Sequence, residues 1–455
     1  MKINKKIITI LSALTLGTGG IFVAASCSND APTNRKPQDT TPTDQIRENI
    51  KKAWDTKITI TNAWVNPGFL AEDGKPQTQI QKTFLTTLAS RFNKLKNEDE
   101  LTKDLPDVSF DIKIDYDKSK YYSTLENDNS EKDIFIANYA TYLNELYEGD
   151  KLKDKFPFKF VAQSATLKFT WQSQDTDFYT DGLKDDKLRI AAEKNNQKWV
   201  KETGFEYPDW DKAKAAKKVE FDGSKYSTFY EKDKLTYVYH GAILIAGDKE
   251  KRDQIIKDWE EKNWEKFISH GIVYRKKDSA GGYKYQAALL ARHFGKTLKD
   301  VNEYLQSQNE NIIIGKTKDQ LGKANSNGKT AHIGFDDEGA YNWTEHNAIS
   351  NNYKPTGFMS SKPYDHPTNK VIRTLTLTNP APYDVVLGRK GLSEKQAELI
   401  GKALESLSLK ENAYGIYTGY NKFKQLNYEQ FRKFAQLQAQ AESKQNLVKE
   451  IPQIQ

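Results

Sequence analysis

The chain of 455 residues exceeds what one hydrophobic core usually serves, and its 8 Trp, 24 Tyr and 21 Phe can fill more than one, so two lobes are the default expectation. A single cysteine excludes an internal disulfide and an all-cysteine metal site. The formal net charge of +7 is spread among interspersed lysines and acids and forms no basic block, so nucleic acid is not an expected partner.

Met1 to Lys6 is basic and residues 7–26 (IITILSALTLGTGGIFVAAS) carry no charge, the layout of a secretory signal. A run of that length can also cross a bilayer. Against a spanning helix stand Gly17, Gly19 and Gly20, while the small residues Ala24, Ala25 and Ser26 leave room for a peptidase beside Cys27. The Ala-Ala-Ser-Cys run resembles the relaxed lipobox of mollicute lipoproteins. That resemblance implies that signal 1–26 is removed and that Cys27 becomes a diacylated, palmitate-bearing N-terminus on the outer face of the cell membrane; two acyl chains anchor stably where one is marginal. Residues 27–57, rich in Pro, Thr, Asp and Asn, read as a flexible tether ending in a short helix near Asp44 to Trp54.

Strand and helix signals then alternate. Ile58–Ala63 (ITITNA) reads as a strand, Gln79–Lys96 as a helix, and Asp107–Ile114 and Asp133–Ala137 as strands, an α/β pattern. Ligands of such sheets sit beyond the carboxyl ends of the strands, which here are followed by Trp64, Asn66 and Pro67, and by Asn138 and Tyr139. Ser164–Thr170 and Tyr237–Ala246 read as further strands, and Lys249–Ser269 as a helix whose Trp259, Trp264 and Phe267 suit a core. Asp278-Ser-Ala-Gly-Gly-Tyr-Lys-Tyr285 leads into an apolar helix, Gln286–Phe294. Unpaired N–H groups at such a start favour an anion, although an ordinary cap has the same composition.

The segment DSAGGYKY resembles the phosphate loop of phosphonate-type substrate-binding proteins of ABC importers. HIGFDDEGAYNWT (332–344), TNPAPYDVVLGRKGLSEKQAELIGKAL (378–404) and GIYTGYNKF (415–423) fit the same family in order. AWVN (63–66), SRFNKLKN (90–97), YHGAILI (239–245), DEGAYNWT (337–344) and TNPAPYDV (378–385) are similar to the mycoplasma extracytoplasmic thiamine-binding lipoproteins, a likeness running from about residue 58 to 425. The resemblance implies a two-lobed α/β fold of the second periplasmic-binding-protein type. Lobe one would hold 58–158 and 389–455, lobe two 159–388, with a ligand cleft between them.

It further implies a non-catalytic monomer that captures thiamine, its mono- or diphosphate or another organophosphorus compound and hands it to a separate ABC permease and ATPase. Ligand contacts would come from the aromatic faces of Trp64, Tyr139, Tyr239, Trp343 and Tyr383, since a thiazolium is a cation for π faces. Glu338 or Asp384 would pair its charge. Ser279, Gly281, Gly282 and Tyr283 would donate to phosphate, aided by Ser164 and Thr166, with Asn66, His240 and Asn379 nearby. Ala280 and Gly281 stand where the family has a second hydroxyl, which leaves the number of phosphate donors open.

An enzyme is the competing class. The six histidines lack HExxH spacing, and no Gly-x-Ser-x-Gly elbow or Walker loop occurs. The acidic stretches ENDNSEKD (126–133) and DGLKDDK (181–187) lack full EF-hand spacing. A surface adhesin remains a third reading, and saturable small-ligand binding separates it from an importer component.

Overall fold

The computed structural model describes residues 41–71, 75–172, 177–207, 209–340 and 351–454. The expected signal, Cys27 and Trp343 lie outside the described residues. The chain divides into a unit of residues 1–45 and a unit of 46–455. Of the first, only the opening of helix α1 (Pro42–Lys52) is described, where Thr41 and Asp44 cap each other.

In the second unit the expected elements appear in order. β1 (Lys57–Asn62) is followed by α2 (Gln79–Glu98), which Thr78 caps by accepting from the Gln81 N–H. Phe84, Leu85, Leu88 and Phe92 recur at helical spacing along α2 and bury in the same core as Ile58 and Ile60. Next come β2 (Ser109–Ile114), α3 (Tyr121–Glu126), the fully buried β3 (Ile134–Ala137), α4 (Leu143–Leu146), the hairpin β4 (Tyr147–Glu148) and β5 (Lys151–Leu152), and the long β6 (Lys159–Phe169).

α5 (Lys187–Thr203), α6 (Trp210–Ala215), β7 (Tyr230–Thr236), β8 (Val238–Tyr239) and β9 (Gly241–Gly247) follow. The strand expected over 237–246 is thus broken at His240, because the two halves pair with different partners. The helix expected over 249–269 divides into α7 (Lys249–Glu260) and α8 (Trp264–Ser269): Lys262 turns left-handed at φ 52°, and Asn263 caps the second piece. Then come β10 (Ile272–Tyr274), a π-helical turn at Ala280–Lys284, α9 (Tyr285–His293), α10 (Leu298–Gln306), β11 (Ile312–Ile314), α11 (Thr317–Gln320) and β12 (Ile333–Asp337). β13 (Val371–Leu377), β14 (Ala381–Pro382), β15 (Val385–Gly388), α12 (Glu394–Ser406), α13 (Ala413–Thr418), β16 (Lys422–Gln425) and α14 (Tyr428–Ala441) complete the chain.

Two sheets result. The first runs β16-β6-β15-β3-β1-β2, with β7 also on β6; the second runs β11-β10-β12-β9-β13. In each, three parallel strands meet one antiparallel strand, β15 or β9, which carries a further antiparallel neighbour. The expected crossings near 158 and 388 fall at the start of β6 and the end of β15, both of which hydrogen-bond within the first sheet. Beside β15, buried Arg389 is clamped by Asp55, Asp128 and Asp133, and Asp133 also accepts from the Thr59 N–H of β1 at 2.8 Å. Among the described residues, no helix is long and apolar enough to cross a membrane.

Candidate ligand-binding site

The carboxyl ends of β3 and β12 and the segments entering β9 and β15 bring side chains from both sheets together. Asn138, just past β3, donates from Nδ2 to the Tyr239 hydroxyl, which is 2.9 Å from the hydroxyl of Tyr285 on α9. Tyr285 in turn exchanges hydrogen bonds with Gln438 of α14. The Tyr239 ring meets Tyr383 edge-on at 5.7 Å, Tyr383 meets Tyr420 at 5.8 Å, and Tyr420 meets Tyr414 at 5.9 Å. Five tyrosines therefore form a continuous row from the second sheet to the first; Tyr285, Tyr414 and Tyr420 are buried, and Tyr239 and Tyr383 are the two of the row that stay partly exposed to an aromatic or cationic partner.

Acids flank this row. Asp384 accepts from the Tyr420 hydroxyl through Oδ2, and burial pushes its carboxyl above the usual range. Asp337, at the end of β12, lies against Gly281: a Cβ built on that glycine would overlap Asp337 Oδ1 and stand 3.3 Å from the Tyr239 ring. Solvent reaches Asp337, yet protein surrounds it closely. That enclosure, reinforced by Asp336 beside it, raises the carboxyl to about 7, while Lys118 and Arg275 oppose the rise. Burial lifts Asp336 itself to about 6. Both shifts are of the desolvation type common where a charge awaits a partner.

The expected contacts divide into three groups. Tyr239, Tyr383, Asp384 and Gly281 belong to the assembled cluster. Trp64 is 45% exposed beyond β1, and half-buried Asn66 donates to the Ser224 hydroxyl. The others are committed to the fold. Tyr139 is a core residue, packed on Phe431 and Phe434 with its hydroxyl on Gln163, because the turn after β3 sends Asn138 outward and its neighbour inward. Ser164 donates to the Asp384 carbonyl, and Thr166 to Asn421. His240 donates from Nδ1 to the Thr378 carbonyl at 2.7 Å, and Asn379 accepts from the Tyr179 N–H. Glu338 is buried and accepts from Trp171 Nε1 and Gln172 Nε2, both at 2.7 Å, so its charge is already partnered.

The expected phosphate loop is a capped π-helical turn. The Ser279 hydroxyl accepts from the Gly282 N–H, and Tyr283 points into the core, where it bonds Asn302 and packs on Tyr274 at 4.7 Å. The turn's open glycine faces a carboxylate, a poor neighbour for an anion. Sequence reasoning missed Asp337, Tyr285 and Tyr420 as cluster members. Only the Asp-Asp-Glu run at the end of a strand offered a signal, and it does not say which acid faces outward. No group of His, Cys, Asp and Glu able to hold a metal ion occurs among the described residues.

Among proteins of known sequence, the chain is 28% identical to the high affinity transport system protein p37 of Mesomycoplasma hyorhinis over 377 residues, 82% of this chain and 86% of the relative. It is also 28% identical to its Mycoplasma pneumoniae counterpart over 341 residues, 69% of this chain and 85% of that protein. Among solved structures, the Mycoplasma hyorhinis protein Mh-p37, put forward as a thiamine pyrophosphate transporter, superposes with a TM-score of 0.71 at 26% identity, covering 86% of this chain and 99% of that one. The expected α/β fold of the second periplasmic-binding-protein type is the one found, and the relatives are transport proteins, not enzymes. The profile of the CypI family matches residues 82–436, and the chain accordingly belongs to the extracytoplasmic thiamine-binding lipoproteins.

Proposed function

We propose that this protein is the lipid-anchored, extracytoplasmic substrate-binding component of an ABC importer and captures thiamine or a thiamine phosphate. The carrying observation is the partly exposed pair Tyr239 and Tyr383, backed by the buried Tyr285, Tyr420 and Tyr414 and flanked by Asp337 and Asp384, which suits a flat aromatic cation. The family and the solved Mh-p37 structure support the same ligand class. In this reading, β6 leads out of lobe one and β15 returns to it, lobe two holds the second sheet, and the cleft lies along the tyrosine row. Tyr239 and Tyr383 supply aromatic faces, Asp337 and Asp384 neutralise the thiazolium or receive the aminopyrimidine, and Trp64 covers the ligand from the β1 side. Ligand favours the closed form by its greater affinity for it.

The carboxylate against Gly281 favours placing the cationic part of the ligand, not its phosphate, at that turn. A phosphate tail would reach the exposed cations Lys118 and Arg275, whose fields act on the same acids. Cys27 would carry the acyl chains that hold the monomer at the outer face of the membrane, beside a separate permease and ATPase. Native mass spectrometry of the chain from Ser28 onward tests the proposal, with thiamine, its diphosphate and an alkylphosphonate offered in turn. Saturable uptake of thiamine or its diphosphate supports it. Folded, ligand-free protein that takes up none of the three, or only the phosphonate, overturns it.

A further inference from the structure

The two ends of the tyrosine row are joined differently. At the Tyr285 end, α14 and the chain after it grip α9 and the turn before it. Glu442 pairs with Lys284 at 3.1 Å, Gln438 donates to the Tyr285 hydroxyl at 3.0 Å, and Arg292 donates to the Ser443 and Gln445 carbonyls and to Asn446. Lys444 adds a bond to the Lys296 carbonyl at 2.7 Å. At the Tyr414 end, the hairpin 221–226 reaches across to α13.

Local sequence builds this hairpin. Phe221 and Tyr226 bridge antiparallel, and their rings meet edge-on at 5.5 Å. Asp222 accepts from the N–H groups of Ser224 and Lys225, and Gly223 takes φ 110°, a value that glycine alone adopts freely. The base is rooted in the core of the second sheet, where Tyr226, Phe229 and Tyr230 bury with Ala242, Leu244 and Ile372. The tip rests on the other side of the cleft. Ser224 accepts from Nδ2 of Asn66 just past β1, Lys225 Nζ stands 3.5 Å from the Ile416 carbonyl of α13, and a Cβ built on Gly223 would lie 3.3 Å from the Tyr417 hydroxyl. The Tyr417 carbonyl accepts from the Asn66 N–H at 2.8 Å, so α13 and the segment after β1 form one seat.

A hairpin tip of Gly-Ser-Lys ordinarily sits in water. Here Ser224 is 7% exposed and Lys225 1%. Lys225 pairs with Asp222 at 3.1 Å and lies 5.4 Å from the Tyr230 ring, and burial lowers its ammonium below the ordinary lysine range. The attraction within a buried ion pair is largely offset by the desolvation of its charges, so this contact fixes where the two surfaces meet without holding them permanently. The grip of α14 on α9 has several bonds and no such offset at its Arg292 contacts, which are made to carbonyls and an amide. Of the two ends, the hairpin end is the one that can part.

We propose that the hairpin 221–226 is a releasable latch between the lobes: its tip, Gly223-Ser224-Lys225, seats on Asn66 and α13 when the cleft closes and leaves that seat when it opens, while the α14 grip persists. The latch rests on the two-lobed reading of the cleft. Spin labels at Lys94→Cys in α2 and Lys299→Cys in α10, both exposed, report the distance between the lobes in the full chain carrying Cys27→Ser, without ligand and with thiamine. The expected result is a short-distance population and a longer one. Ser224→Ala or Asn66→Ala raises the long-to-short ratio about fivefold, the contribution of one hydrogen bond. Both changes together raise it no further, because they remove the same bond. Melting temperatures confirm that the variants fold. Two populations whose ratio ignores both variants, or a double variant whose effect is the product of the singles, overturn the latch and leave the two lobes standing. One distance that neither the variants nor thiamine moves overturns the latch together with the two-lobed reading.

Discussion

Replacing Asp337 by Asn probes the cleft most directly, because it removes a charge while keeping the shape that packs on Gly281. With the carboxyl raised to about 7, the ionised fraction falls from roughly nine-tenths at pH 8 to roughly one-tenth at pH 6. A ligand that requires the carboxylate pays for that depletion in apparent affinity, so thiamine should bind about tenfold more weakly at pH 6 than at pH 8. The sign follows from the upward shift: the charge is lost as pH falls through 7, and cation affinity goes with it. Neighbouring groups shape the curve. Asp336 titrates near 6, and Asp384 and Glu338 are raised by burial. The Tyr239, Tyr383 and Tyr353 phenols stay protonated, and Lys118 and Arg275 oppose the rise. Fitted values therefore belong to the acid pair Asp336–Asp337. Isothermal titration at constant ionic strength reads the effect. A flat wild-type profile between pH 6 and 8, or an Asp337→Asn profile as steep as the wild type, refutes the assignment.

Gly281→Ala places a methyl group onto Asp337 Oδ1 and should destabilise the protein by about 1–3 kcal/mol in urea denaturation, with Asp337→Gly restoring most of the loss. Tyr239→Phe keeps the ring but deprives Asn138 and Tyr285 of their shared hydroxyl; a stability loss of about 1–2 kcal/mol is expected by the same assay, with thiamine affinity little changed. Arg389→Met strands Asp55, Asp128 and Asp133 beside β15 and should cost about 3–5 kcal/mol, visible as a lowered urea midpoint. An unchanged midpoint would mean that the clamp contributes nothing net.

Much of the first sheet was legible because period alone decides it. Ile58 and Ile60 alternate in β1, the apolar spacing of α2 is helical over five turns, and Ile134–Ala137 is too short and apolar for anything but a buried strand. Residues 237–246 read as one strand because composition does not reveal that His240 is where the pairing partner changes. The site was harder to read for a related reason. Which of Asn138 and Tyr139, or of Asp337 and Glu338, faces the cleft depends on one turn's twist, and both neighbours are plausible ligand groups. Ser279 and Glu338 carry the right chemistry, but its use by Gly282, Trp171 and Gln172 is a tertiary fact.

The position of β15 bears on how the protein is made. Residues 385–388 form the strand that separates β3 from β6, so the β2-β1-β3 half of the first sheet and the β6-β7 pair, both translated earlier, are joined only by a segment from the last fifth of the chain. Until it arrives, β3 and β6 each present an unpaired edge, and Arg389, which follows directly, is missing from its three acids. The first sheet is therefore completed only when nearly all of the chain has been made, and its two halves have no strand between them until then.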